Sequence, residues 1–358
     1  MNVRLTGPTP LPPAVAAALG REVVSHRGDE FRALQGRIED RLRTILGCHA
    51  PDSAVVLLTC SGTGGIEAAL VNAFAPGDRV LAWSVGLFGE RMAAMADAAG
   101  LAVDRVTGRW GDALDPETVA ARLADGPAYR GVLVTHNETS TGVLNPLPSL
   151  ARAVRAAGDA LLVVDAVSSA GAVAVDLDRN GLDVVVTASQ KALMAPPGVA
   201  VVALGPRAVA ATHRNARPRS YFDLRHALRA AADGTPAFTP CLPAYYGLEV
   251  STAMIVDEGL EAVHARHRGL RDELRRHLTA AGVRLFVAGP TASPTVTSVA
   301  VTGDARDLRR RLRERRGVLV SGGRGPFEHS MVRIGHMGHV TPDDLTDAAV
   351  ALVEELAA

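Results

Sequence analysis

Lys191 is the residue whose position most needs a chemical reason. It lies in Ser189-Gln-Lys-Ala-Leu-Met-Ala-Pro-Pro-Gly198, a small-residue turn between two apolar runs, 182–186 and 199–204. Lysine normally sits on solvated surface. An amine between two buried strands makes sense if it is used, and the natural use is a Schiff base with a carbonyl cofactor. A solvated loop lysine is the plain alternative. Asp165 tips the balance, because it ends a second apolar run, 160–165. A lysine and an aspartate at the ends of parallel strands are the two protein groups that pyridoxal phosphate requires: an amine for its aldehyde and an anion against its pyridine nitrogen.

Other candidates lie at corresponding places. The 55–59 run leads into Cys60-Ser-Gly-Thr-Gly-Gly65 and then a helical pattern. A Gly-rich turn that opens a helix favours an anion through free amides and the helix dipole, with hydroxyls of Ser61 and Thr63 as added donors. It has neither the Gly-Lys-Ser/Thr of a nucleotide-binding loop nor a dinucleotide fingerprint, and such turns also serve close helix packing. Phe88 follows the 79–83 strand, where it either joins the core or stacks on a planar ring. His136-Asn-Glu-Thr-Ser-Thr-Gly142 is a polar cluster after the 131–135 strand. Arg333 lies inside an apolar strand, 331–335, and needs an anion: a structural ion pair or a clamped substrate carboxylate. His26 and Arg27, in the loop before a helix at 30–46, either line the site or are solvated. The 309–316 arginine run reads as the solvated face of a helix.

The elements that must position these residues alternate strand and helix from 55 to 204. That implies an α/β fold with a largely parallel sheet and right-handed crossovers. Ligands bind such sheets beyond the carboxyl ends of the strands. The Gly-rich turn, Phe88, the 136–142 cluster, Asp165 and Lys191 all fall there. Residues 1–17 read as an extended, proline-rich segment in which no helix can begin before about Pro13, 18–257 as a large domain, and 258–358 as a small α+β domain. From 205 to 250 the sequence changes character, with irregular, polar stretches at 217–221 and 236–240. A helix from 245 to 281 is expected to break near Gly259. Further strands are expected at 284–288, 295–302, 318–320 and 331–335, with helices at 305–315 and 342–356.

Composition narrows the function class. Among 358 residues, 38 Lys and Arg balance 38 Asp and Glu, which argues against a general nucleic-acid or acidic-membrane binder. The three cysteines are scattered without metal spacing and suit a reducing compartment. No basic-then-apolar leader or membrane-length apolar run occurs. A cytoplasmic protein is expected.

The sequence resembles the class V aminotransferases of fold type I, in the alanine–glyoxylate/serine–pyruvate branch. The likeness rests on Gly7-Pro-Thr-Pro10, Ser61-Gly-Thr-Gly-Gly-Ile-Glu-Ala-Ala-Leu70, the 136–142 cluster, Val164-Asp-Ala-Val-Ser-Ser169, 189–198 and Arg333-Ile-Gly335. It implies a large domain with a mostly parallel seven-stranded sheet, a small C-terminal domain, and a homodimer acting on small amino acids and oxo acids. It implies that Lys191 forms the Schiff base and moves the proton, while Asp165 keeps the pyridine nitrogen protonated. Val167 and Phe88 would flank the ring. Thr139 and Gln190 would contact the cofactor, and Ser61, Gly62 and Thr63 its phosphate. Thr239 would reach the phosphate of the partner subunit's cofactor, Arg333 would take the substrate carboxylate, and Thr9 would line the substrate side. Phe238-Thr-Pro240 looks more like the 2-aminoethylphosphonate transaminases, which leaves that donor as an alternative. A lyase or desulfurase is another, although such desulfurases carry a loop cysteine late in the chain that has no match here. A non-catalytic scaffold would have no need to keep Lys191, Asp165 and Ser61 together.

Overall fold

A computed structural model describes all 358 residues. The central sheet has seven strands in the spatial order Ala54–Leu58, Ala200–Leu204, Val184–Ala188, Leu161–Asp165, Gly131–Thr135, Arg79–Ser84, Ala102–Thr107. Only Ala200–Leu204 runs antiparallel to its neighbours. The reason is length. Residues 189–199 are too few for the helical crossover that a parallel return needs, so the chain turns back directly.

Strand residues alternate between two apolar layers. Val55, Leu57, Val185 and Val201 point to one layer, and Val56, Leu58, Val184 and Val202 to the other. Burial on both faces explains why these strands read as continuous apolar runs. Helices cover both faces, among them Asp29–Leu46 on one side and Gly62–Ala73 on the other. The long helix expected to break near Gly259 is two helices, Leu242–Glu258 and Leu260–Ala280, separated by that glycine at φ +84°.

A third apolar cluster forms the small domain. Leu270, Leu274 and Leu278 pack there against Val299, Val320, Ile334, Leu308 and Leu352. Its sheet has the order Asn2–Arg4, Val318–Gly322, Met331–Gly335, Val296–Ala300. The first residues of the chain therefore pair with a strand more than 300 residues away, Asn2 with Val318 and Arg4 with Val320. Beyond them the chain crosses to the large domain and forms helix Pro13–Ala18 against Leu242–Glu258.

The structure alters the expected picture in three places. Residues 284–288 form no strand; they make one isolated bridge, Leu285 to Val299, before the Gly289–Thr291 turn. The stretches read as irregular, 217–221 and 236–240, do lie outside helices and strands, but two helices that the sequence reading did not assign flank them, Pro206–Arg214 and Leu224–Ala232. Both are short and amphipathic; the first has proline in its opening turn and the second is capped by Asp223, whose carboxylate accepts from the Arg225 amide. The 309–316 arginines are not simply solvated: Arg311, Arg315 and Arg316 pair with Glu355, and Arg309 lines a cleft. No helix is long and apolar enough to cross a membrane.

Candidate active site

Asp165 ends its strand and is 5 % exposed. Its Oδ1 accepts one hydrogen bond, from the Val167 amide at 2.9 Å, and it has no ion-pair partner. Burial pushes its carboxyl up to about 6, opposed chiefly by that amide. Lys191 lies in the turn after the neighbouring parallel strand, Val184–Ala188. Its Nζ donates to the Thr6 carbonyl at 2.6 Å. Burial lowers its ammonium to about 8, against the pull of Asp165.

The lysine turn is laced across itself. The Ser189 hydroxyl donates to the Pro196 carbonyl at 2.6 Å and accepts from the Val199 amide at 3.2 Å. The Met194 amide reaches the Lys191 carbonyl, with Met194 held at φ +57°, a strained conformation that persists only where surroundings enforce it. The N-terminal segment straps over this turn. Thr6 takes a hydrogen bond from Lys191 through its carbonyl, and its amide donates to the Ser321 hydroxyl of the small domain. At Gly7, φ is +116°, which favours glycine, and an added Cβ would push the Lys191 side chain from its place. Thr9 donates its hydroxyl proton to the Lys191 carbonyl at 3.0 Å. It fixes the backbone of the turn.

The other candidates gather at the same sheet edge. Ser61 caps Gly62–Ala73 by accepting from the Gly64 amide, while the Gly62 and Thr63 amides have no acceptor. A Cβ on Gly62 would meet Val167 at 3.0 Å and Ala188 at 3.1 Å. This absence of a side chain lets the helix start close under Val167. Thr139 donates to the Ser168 hydroxyl at 2.7 Å, and Ser168 donates to the Asn137 carbonyl at 2.9 Å. Phe88 is half-buried, with the Arg91 guanidinium 5.0 Å from its ring centre. Gln190 Oε1 and His136 Nδ1 are buried without a partner. Burial lowers His136 to about 4, so its ring is neutral.

Arg333 is 3 % exposed and pairs with no carboxylate. Its Nε donates to the Gly322 carbonyl at 2.8 Å and its Nη1 to the Thr139 carbonyl at 2.7 Å. A structural ion pair is therefore not its role in the folded chain, and Nη2 is left for another acceptor. Three residues lie apart. His26 is half-buried and Arg27 exposed, and neither side chain makes a hydrogen bond. Thr239 is exposed, beside Phe238 stacked on Tyr221 at 4.8 Å.

Two supporting residues were not singled out by sequence. Glu138, fully buried, accepts from the amides of Phe88, Gly89 and Ser140 and so holds the turn that carries Phe88. Its signal was an acid inside an otherwise neutral polar cluster. Thr6 acts through a backbone carbonyl, which side-chain identity does not reveal.

The arrangement fits pyridoxal phosphate on its own features. It offers a half-buried lysine, a buried carboxyl short of partners, free helix amides and an orphaned amide oxygen at one edge. Fold and site together define a fold type I pyridoxal-phosphate enzyme. The model of the family "Aminotransferase class-V" matches residues 7–344, and the chain belongs to that family of pyridoxal-phosphate-dependent aminotransferases. It is 38% identical over 355 residues to the soluble hydrogenase 42 kDa subunit of Anabaena cylindrica, covering 98% of this chain and 92% of that protein. It is 34% identical over 356 residues to the L-aspartate–glyoxylate aminotransferase of Paracoccus denitrificans, covering 98% and 89%. It superposes on an alanine–glyoxylate aminotransferase from Nostoc sp. with a TM-score of 0.94 and 29% identity, over 99% of this chain and 94% of that one. The chain contains no group of three or more His, Cys, Asp or Glu side chains that could hold a metal ion.

Proposed function

We propose that the chain moves the amino group of a small amino acid, of alanine or serine type, to a 2-oxo acid such as glyoxylate or pyruvate. The observation that carries this reading is the pair Lys191 and Asp165, the first half-buried and the second buried, at the ends of adjacent parallel strands with no ion-pair partner in contact with either. The Paracoccus and Nostoc relatives, both named for glyoxylate, support the acceptor.

The bound cofactor supplies an electron sink for the substrate's Cα. The chain supplies the rest. Lys191 would hold the cofactor through its amine, and the same amine would take and return the Cα proton. Its lowered basicity suits that shuttling near neutral pH. Asp165 keeps the ring nitrogen protonated through a charge that burial makes strong. Val167 and Phe88 fix the plane of the ring. Ser61, Gly62, Thr63 and Gln190 hold the phosphate side, Thr139 the hydroxyl side, and Arg333 the substrate carboxylate through Nη2. Thr9 keeps the lysine turn in place at the substrate side. We assign Thr239 to the phosphate of a second subunit in a homodimer. It is exposed on its own protomer, beside Tyr221 and Phe238, two of the few large exposed apolar side chains, as interface aromatics are. The composition and cysteine usage fit a cytoplasmic enzyme.

The reading is tested by two separated half-reactions. L-Alanine alone is expected to bleach the yellow cofactor-loaded protein with one pyruvate per site, and glyoxylate to restore the colour with one glycine. Bleaching by 2-aminoethylphosphonate and not by alanine or serine would move the donor to the alternative class. Product release without recovery by any oxo acid would mark a lyase.

A further inference from the structure

A cleft of about 530 Å³ opens beside the strap that contacts the lysine, lined by Thr6 and Gly7 of that strap, by Leu87 and by the small domain. Its charge is one-sided: Arg306, Arg309, Arg324 and Arg333 line it against a single acid, Glu328. Arg306 is already held by Asp304 at 2.8 Å. Arg309, Arg324 and Arg333 form no ion pair.

Gly322 brings two of these guanidinium groups together. Its carbonyl accepts from Arg333 Nε at 2.8 Å. Its missing side chain makes room for Arg309, because a Cβ there would lie 2.7 Å from Arg309 Nη1 and 3.3 Å from its Cζ. Arg309 Nε is fixed in turn by the Val320 carbonyl at 3.2 Å. A half-buried guanidinium seated on the same residue as Arg333, and spending only Nε on the backbone, is built to meet an anion with its free nitrogens. Arg324, exposed at the mouth, adds to the field that draws anions in.

We propose that Arg309, supported by Arg324, forms a second anion subsite next to Arg333, so that the enzyme also takes amino and oxo acids with an acidic group on the side chain. This rests on the transaminase reading in one respect: Arg333 is given the carboxylate next to the reacting carbon. The second group is a carboxylate or a phosphonate, since a guanidinium reads both.

The test is calorimetric titration of the cofactor-loaded protein with propionate, succinate and 3-phosphonopropionate. It needs no turnover, so it stands even if the alanine half-reaction fails. Succinate or 3-phosphonopropionate is expected to bind at least tenfold more tightly than propionate, and the tighter of the two names the group. Arg309→Gln is expected to collapse this ratio below threefold, and Arg309→Lys to retain part of it. Gly322→Ala, which displaces Arg309 without removing its charge, is expected to reduce the ratio as well. Equal binding of propionate and both dianions by the wild type would overturn the subsite. So would a folded Arg309→Gln protein with the full wild-type ratio.

Discussion

Asp165 and Glu355 are both buried carboxylates, and the fold treats them in opposite ways. Glu355, 1 % exposed on helix Pro342–Ala357 of the small domain, accepts from Arg316 Nε at 2.9 Å and Arg311 Nε at 3.1 Å, with Arg315 Nη1 at 3.5 Å. These guanidinium groups, Arg316 foremost, hold it below the ordinary carboxylate value. Asp165 has one amide hydrogen bond, and burial pushes it up to about 6. Glu138 stands between them, with several donors but no adjacent cation, and burial still raises it. A carboxylate that serves the fold is surrounded by countercharge. One that serves a ligand is left short of it, and its cost remains until the ligand supplies the missing partner.

The comparison breaks most visibly at the amine. Lys191→Ala is expected to lower turnover at least about 10³-fold without lowering the melting temperature of the cofactor-free protein, because it removes an ammonium that desolvation holds at about 8. Near-normal turnover would sink the assignment. Asp165→Asn is expected to cost roughly 10²-fold in turnover yet to stabilise the cofactor-free fold at pH 7. The shift from 3.8 to about 6 corresponds to on the order of 3 kcal/mol. Glu355→Gln should do the reverse: lower stability in urea unfolding and unchanged turnover. If both variants shift stability in the same direction, the contrast fails.

A smaller effect sharpens the same point through pH. Asp165 binds its proton more tightly in the fold, so stability falls as pH rises from 3.8 to about 6. Lys191 binds its proton less tightly in the fold, so stability recovers as pH rises from about 8 to 10.5. Their combined contribution to the cofactor-free protein is therefore lowest between about 6 and 8. Glu355 contributes the other sign, with stability lost as acid protonates it below its ordinary value. Urea unfolding across this range is expected to show the trough in the wild type and not in the Lys191→Met, Asp165→Asn double variant.

The placement of Lys191 and Asp165 at one sheet edge was legible in the sequence because a charged residue at the end of an apolar run has few structural uses. Arg333 was legible for the same reason, although its actual partners, the carbonyls of Gly322 and Thr139, were not. Arg309 was hidden: inside a run of arginines it looks like a solvated helix face, and only the path of Gly322 beneath it marks it out. The strap through Thr6 and Gly7 was hidden differently, since it depends on residues 2–4 pairing with 318–320 and on a main-chain oxygen. The Pro206–Arg214 and Leu224–Ala232 helices were masked by prolines, arginines and short length. Local pattern announced the large sheet because it is buried on both faces; contacts over hundreds of residues leave no such pattern.

The central claim is that Asp165 is left without a cation in contact so that it can hold a proton on the cofactor ring. The direct measurement is the nitrogen-15 chemical shift of the ring nitrogen in protein loaded with labelled pyridoxal phosphate, for the wild type and Asp165→Asn. The account requires a protonated ring nitrogen at neutral pH in the wild type and an unprotonated one in the variant. The same shift in both proteins would contradict it.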